Sequence, residues 1–204
     1  LEQYVNDIIT KDIIEKYELH NITQIKALVK FFLSNPGAKI SANKLGKQLS
    51  ISKNTAQKYI DYIIDTFLIF EVPFFSYSAK TKYIGAHASK YYCIDNGIYT
   101  ITTTRKNKGI LLENAVAIRL QQKSKELFYW QEGVEIDFVA DEKALQVTAS
   151  EEIPPREADA FKEFEKAHKR IKKHILISPQ KEGKEGGIEF ISIKNYLEKA
   201  KDSP

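Results

Sequence analysis

Val5, Ile8, Ile9, Ile13 and Ile14 recur at helical spacing, and the pattern runs on to Tyr17. It predicts an N-terminal helix. Asn21 is placed to cap a second helix with Ile22, Ile25, Leu28, Val29 and Phe32 on one face, and Asn35-Pro36-Gly37 stops it. Two shorter helical patterns follow. Ser41 can cap a helix to about Leu49, with Leu45 and Leu49 facing in. Gly46 is a poor helix former there but suits close helix packing. Ser50-Ile51 makes a tight turn, and Ser52 caps a longer helix with Thr55, Ala56, Tyr59, Ile60 and Ile63 inside. The period then changes to strands at 68–75, 82–84 and 91–94, and Asp95-Asn96-Gly97 reads as a turn.

A helix, a short helix, a tight turn, a helix and a two-stranded hairpin make the order of a winged helix-turn-helix. Lys53, Asn54, Gln57 and Lys58 cluster near the N-terminal end of the second short helix. Recognition helices carry their base-reading and phosphate-binding groups there. Lys44 and Lys47 lie on the exposed face of the first, and Lys80 and Lys82 fall on the wing. A helix-turn-helix used only for protein contact is the alternative.

The polar stretch 102–109 links this part to a second pattern: a helix over 110–123, strands at 127–131, 134–141 and 144–149, and an amphipathic helix over 156–168. A strand at 174–178, a Lys/Glu/Gly-rich turn, a short strand at 188–191 and a last helix at 193–201 complete it. The order is that of a mixed sheet with helices packed against it, so the chain as a whole is α+β.

Composition adds limits. The chain has 204 residues, 43% hydrophobic and 28% charged, which suits a globular fold of one large or two small domains. No apolar run is long enough for a membrane helix, and no stretch reads as a secretory signal. Cys93 alone excludes a disulfide scaffold and a cysteine-rich zinc site. The expectation is a cytoplasmic protein with no membrane partner. The absence of Met and a start at Leu1 suggest a piece of a longer protein.

Net charge is +4, but its distribution says more: Leu19 to Ile60 holds seven lysines and no acidic residue. Val72 to Ile94 is also acid-free, whereas the chain from Arg105 onward balances 19 basic against 18 acidic residues. Segregated positive charge is the footprint of a polyanion partner, here double-stranded DNA.

Period two puts Glu135 and Asp137 on one strand face, and Gln146 and Thr148 on one face of the next strand; Glu113 lies on the preceding helix. This layout resembles the PD-(D/E)xK nuclease superfamily, a restriction-endonuclease-like fold in which carboxylates hold Mg²⁺ and a lysine assists the attacking water. The resemblance places Glu113 and Asp137 as metal ligands. Gln146 stands where the second strand carboxylate belongs and Thr148 where the lysine belongs. The preferred expectation is a retained fold with a degenerate, inactive site; a metal-dependent nuclease is the alternative.

The four histidines are scattered without metal-site spacing and read as surface or cap residues. Cys93 reads as buried and inert, and Tyr91, Tyr92, Phe74, Phe75 and Tyr77 as core rather than base-stacking residues.

Several pieces carry a wider resemblance: Tyr4-Val5-Asn6-Asp7-Ile8-Ile9 with Lys11-Asp12-Ile13; Phe32-Leu33-Ser34-Asn35 with Ile51-Ser52-Lys53-Asn54-Thr55; and Phe75-Ser76-Tyr77-Ser78 with Tyr91-Tyr92-Cys93-Ile94-Asp95-Asn96-Gly97. Further on come Gly109-Ile110-Leu111-Leu112-Glu113-Asn114, Tyr129-Trp130, Glu135-Ile136-Asp137-Phe138-Val139 and Gln146-Val147. In order and spacing the chain resembles the C-terminal region of prokaryotic, largely archaeal, AAA-type P-loop ATPases. The resemblance implies an N-terminal ATPase module that binds ATP outside this chain, since no G-x-x-x-x-G-K-[ST] occurs here. It divides the chain into an N-terminal helix and linker (1–19), a winged helix (20–104) and a nuclease-like domain (105–204). The expected function is a DNA-binding module without chemistry of its own; a protein-interaction or homo-oligomerisation platform for the ATPase is a further alternative.

Overall fold

In the computed structural model, residues 1–78 and 87–198 are described. They are α+β and fall into two compact units. Residues up to Val72, together with those from 87 to Asn107, form the first. Pro73–Ser78 joins residues from Lys108 onward in the second. Among the described residues no helix is long and apolar enough to cross a membrane.

The first unit begins with α1 (Glu2–Ile8), which runs into a π-helical segment, Ile9–Glu15. The wider π-helical turn brings Ile9, Ile13 and Ile14 to the core together. Then come α2 (Ile22–Ser34), β1 (Ala38–Ile40), α3 (Ala42–Leu49), α4 (Lys53–Asp65), β2 (Ile69–Val72), β3 (Ser89–Cys93) and α5 (Asn96–Thr102). The strands form an antiparallel sheet in the order β1-β3-β2. One core joins Val5, Ile13, Ile25, Val29, Phe32, Ile60, Ile63, Tyr91 and Cys93, so the N-terminal helices pack with α2 and α4.

Three readings change here. Asp95-Asn96-Gly97 opens a helix: the Asp95 carboxylate accepts from the N–H groups of Gly97 (2.7 Å) and Ile98 (3.0 Å) and caps α5. The strand expected over 68–75 ends at Val72. β1, three residues long, carried too little pattern to be seen in the sequence.

The second unit holds α6 (Lys108–Lys123), β4 (Phe128–Glu132), β5 (Val134–Ala140), β6 (Lys143–Val147), α7 (Pro155–Ala167), β7 (Lys173–Ser178), β8 (Gly183–Glu185), β9 (Ile188–Ser192) and α8 (Ile193–Glu198). The sheet order is β4-β5-β6-β7-β9-β8, antiparallel at both ends and parallel along β6-β7-β9. β8 lies in the Lys/Glu/Gly-rich stretch read as a turn. β4 carries a bulge between Phe128 and Trp130. There Tyr129 pairs instead with Phe74: its N–H donates to the Pro73 carbonyl (3.0 Å) and its carbonyl accepts from the Phe75 N–H (2.6 Å).

Candidate functional site

The first candidate is the α3–α4 pair. Ser41 caps α3 by accepting from the Lys44 N–H (3.2 Å), and Ser52 caps α4 by accepting from the Thr55 N–H (3.0 Å). Between them Ser50 takes a left-handed conformation (φ 55°), and the Ile51 N–H reaches back to the Gly46 carbonyl at 2.9 Å. A Cβ on Gly46 would sit 2.9 Å from the Ile51 carbonyl oxygen and 3.4 Å from the Lys53 backbone nitrogen. Glycine is therefore what lets the start of α4 approach α3 so closely.

Lys44, Lys47, Lys53, Asn54, Gln57 and Lys58 are all exposed. Lys53 and Asn54 occupy the first turn of α4 and Gln57 and Lys58 the second, while the opposite stripe of Ala56, Tyr59, Ile60 and Ile63 is buried. Gln57 is partly committed, because its amide donates to Asp61 at 2.9 Å. Neither a salt bridge nor a carboxylate partner neutralises the four lysines among the described residues, in keeping with the acid-free sequence around them. Lys80 and Lys82, assigned to the wing, lie outside the described residues.

The second candidate is the β5–β6 constellation, where Asp137 and Gln146 do come together. The Gln146 Oε1 accepts from the Asp137 N–H (2.9 Å), and its Nε2 donates to the Glu135 carbonyl (2.7 Å). In return the Asp137 Oδ2 accepts from the Val147 N–H (2.8 Å). Paired residues run only from Phe138↔Leu145 to Ala140↔Lys143, so beyond them two side chains replace the backbone ladder. Gln146 is 5% exposed, and a buried amide with both ends bonded is a strand fastener. The buried Thr148 accepts from the Ser150 N–H (3.2 Å) and supplies no positive charge. Glu113 is half-buried on α6 beside the fully buried Asn114.

These donors do not fit Mg²⁺ as the superfamily layout requires. The Gln146 oxygen already accepts a backbone N–H, and one Asp137 oxygen accepts another. Among the described residues no group of three or more His, Cys, Asp or Glu is arranged to hold a metal ion.

Other expectations resolve residue by residue. Cys93 is fully buried, its Sγ donates to the Asp95 carbonyl (3.2 Å), and burial pushes its thiol up to about 11, so it is inert at neutral pH. Tyr91 and Tyr92 are core residues, but Tyr77 is 55% exposed with the Arg170 guanidinium 5.7 Å from its ring centre. Two histidines read as surface or cap residues are more than that. His168 follows α7 as its C-cap, yet its ring sits among Phe75, Tyr77, Trp130 and Phe164 with both nitrogens buried and unpartnered. His174 on β7 is 7% exposed, and its Nε2 has no partner. The signal for His174 was its place at the head of the apolar run Ile175-Leu176-Ile177, which a strand buried on both faces carries inward.

Residues 1–108 match the family model described as a domain of unknown function, DUF8612, and residues 108–196 match the domain of unknown function DUF4143. The border of the two matches falls where the two compact units divide, at Asn107 and Lys108. The chain is 31% identical over 185 residues to the uncharacterized protein MJ1544 of Methanocaldococcus jannaschii. The alignment takes in 84% of this chain and 41% of the relative, so the chain spans about two fifths of the length of that protein. No solved structure matches the chain.

Proposed function

We propose a DNA-binding role for this chain, which belongs to the DUF8612 family, with the α3–α4 pair of its first unit as the contact surface. The order α2, β1, α3, α4, β2, β3 and the three-stranded sheet β1-β3-β2 agree with a winged helix-turn-helix, in which α4 enters the major groove. The observation that carries the reading is the set of exposed, unneutralised lysines around the start of α4, within forty-two residues that hold no acid. Lys44, Lys47, Lys53 and Lys58 would bind phosphates. Asn54, with both amide groups available, would face base edges, and the α4 N-terminus favours a phosphate on its own account.

In this reading the second unit has a nuclease-like strand layout without cleavage, because both amide atoms of Gln146 and one carboxylate oxygen of Asp137 are spent on fastening β5 to β6. The whole protein would be an AAA-type ATPase of which this chain is the C-terminal module. DUF4143 occurs in ATPase-associated C-terminal regions, and the archaeal relative is more than twice as long as the matched part.

Fluorescence anisotropy of a labelled random duplex, titrated with this chain at low and moderate salt, tests the proposal. Saturable binding that weakens steeply with salt is expected. No binding at low salt would overturn it, and a protein-contact surface would then be the better reading of α3 and α4.

A further inference from the structure

In the first unit α2, β1 and α3 border a groove of about 440 Å³. Its apolar lining comes from all three: Leu28 and Phe31 of α2, Ile40 of β1, and Leu45 and Leu49 of α3. Leu28, Ile40 and Leu45 are buried, whereas Phe31 stays 44% exposed, a large apolar ring left in contact with water. The volume is that of a small-ligand pocket. Each helix supplies little more than one turn of wall, over 27–31 and 44–49, or about 6 to 8 Å at 1.5 Å per residue. A docking helix anchors over two turns, from i to i+7, so the groove suits a small molecule better.

The polar side chains that line the groove are Lys39, Lys44 and Gln48, and no acidic residue lines it. Lys44 and Gln48 stand four apart on α3 and are therefore neighbours on one helix face, next to Leu45 and Leu49. Both are exposed. Among the described residues Lys44 has no ion pair and the Gln48 amide has no hydrogen bond. An ammonium and an amide NH₂ side by side offer a carboxylate one charge-assisted hydrogen bond and a second donor. The sequence from Leu19 to Ile60 supplies no carboxylate of its own to take that place.

The groove thus combines an apolar lining with positive charge and hydrogen-bond donors, and it has no negative charge of its own. A cation would meet two lysines there. An inorganic anion would leave the apolar lining wet. An anion with an apolar body satisfies both parts at once, since burial of the body adds affinity in proportion to its area.

We propose that this groove binds a small amphipathic carboxylate, its chain against Leu28, Phe31, Ile40, Leu45 and Leu49 and its carboxylate accepting from Lys44 and Gln48. A neutral alcohol of the same chain fills the groove without matching the ammonium and binds less tightly. The site goes beyond the DNA contact proposed above, although Lys44 belongs to both surfaces. Binding is therefore measured without DNA, and its outcome does not depend on α4.

Octanoate, hexanoate and 1-octanol are the probes, titrated into this chain while NMR follows the methyl groups of Ile40, Leu45 and Leu49. Saturable octanoate binding that shifts these methyls is expected. Hexanoate should be weaker by on the order of tenfold for its two missing CH₂ groups, and 1-octanol weaker than octanoate by about threefold or more. Lys44→Gln should remove the preference for octanoate and leave 1-octanol binding unchanged. Ala27 lines the groove from an exposed helix position, so Ala27→Trp should fill it and abolish binding of all three probes. Equal affinity for octanoate and 1-octanol, methyls unmoved by millimolar octanoate, or undiminished octanoate binding to either variant would each overturn the proposal. Groove methyls that shift with protein concentration alone would seat a second copy of the chain there, and would overturn it too.

Discussion

Gln146 stands on β6 beside Asp137 of β5, and its hydrogen bonds say what an amide does there that a carboxylate could not. The amide both donates to the Glu135 carbonyl and accepts from the Asp137 N–H. A carboxylate can do only the second. Gln146→Glu would set a buried negative oxygen against the Glu135 carbonyl and beside the Asp137 carboxylate. It is expected to destabilise the second unit by roughly 2–4 kcal/mol, because a buried acceptor loses its donor and a charge loses its water. Urea unfolding with and without Mg²⁺ measures this; a variant as stable as the parent would contradict the fastener account, and one that Mg²⁺ rescues would show that the site can hold the metal. Gly46 makes a similar case in the first unit. Alanine is the better helix former by about 1 kcal/mol. Yet its Cβ would meet the backbone of Ile51 at 2.9 Å, and backbone cannot swing aside as a long side chain can. Gly46→Ala should therefore destabilise rather than stabilise, by about 1–2 kcal/mol, and weaken DNA binding by tilting α4. A rise in thermal midpoint would contradict this packing account. The sequence showed which residue types stood at these two positions; only the coordinates show which backbone atoms they meet.

At the scale of elements, the helices with caps were legible and the non-local pairings were not. Ser41 and Ser52 announce α3 and α4 because a capping hydroxyl acts within three residues. The end of β2 depends on distant chain. Pro73 has no N–H for the sheet, and its carbonyl is taken by Tyr129, fifty-six positions away, at the β4 bulge. Alternation along Leu68–Phe75 cannot encode that. The same junction buries His168, whose ring Phe75, Tyr77, Trp130 and Phe164 surround. Burial holds its pKa below the ordinary 6.5, against the opposing pull of Glu132, and His174 is lowered for the same first cause. The unfolded chain takes up these protons near the ordinary value while the folded chain resists until the pH is lower. Between those points the unfolded state binds more protons, so stability falls as the pH drops. The urea midpoint should be flat above about pH 7 and decline below about pH 6.5. His168→Phe should shrink the decline while keeping the aromatic cluster. An equally steep decline in that variant would assign the acid sensitivity elsewhere.

On the scale of the whole molecule, charge separates the two units. Leu19 to Ile60 carries its lysines without acids, whereas the sequence from Arg105 onward interleaves both signs and pairs many of them, as in Lys166–Glu163 and Lys181–Glu185. Paired surface charges contribute little field beyond about 10 Å at moderate salt, but an unpaired cluster attracts a polyanion and its counterions. The alternation of the second unit made its strands readable, yet it could not say that the constellation on β5 and β6 was a fastener. The charge pattern of the first unit, by contrast, was complete in the sequence. It makes a quantitative demand. Each phosphate neutralised releases counterions and adds about 0.9 to the slope of log affinity against log salt. If Lys53 and Lys58 each meet a phosphate, the Lys53→Glu/Lys58→Glu double variant should bind duplex DNA more weakly and show a slope shallower by about two. Lys166→Glu, which reverses a lysine already paired with Glu163, should leave that slope unchanged. A double variant with the parent's affinity and slope would remove α4 from the interface, because a salt dependence that survives the loss of both lysines must arise from charges elsewhere on the chain.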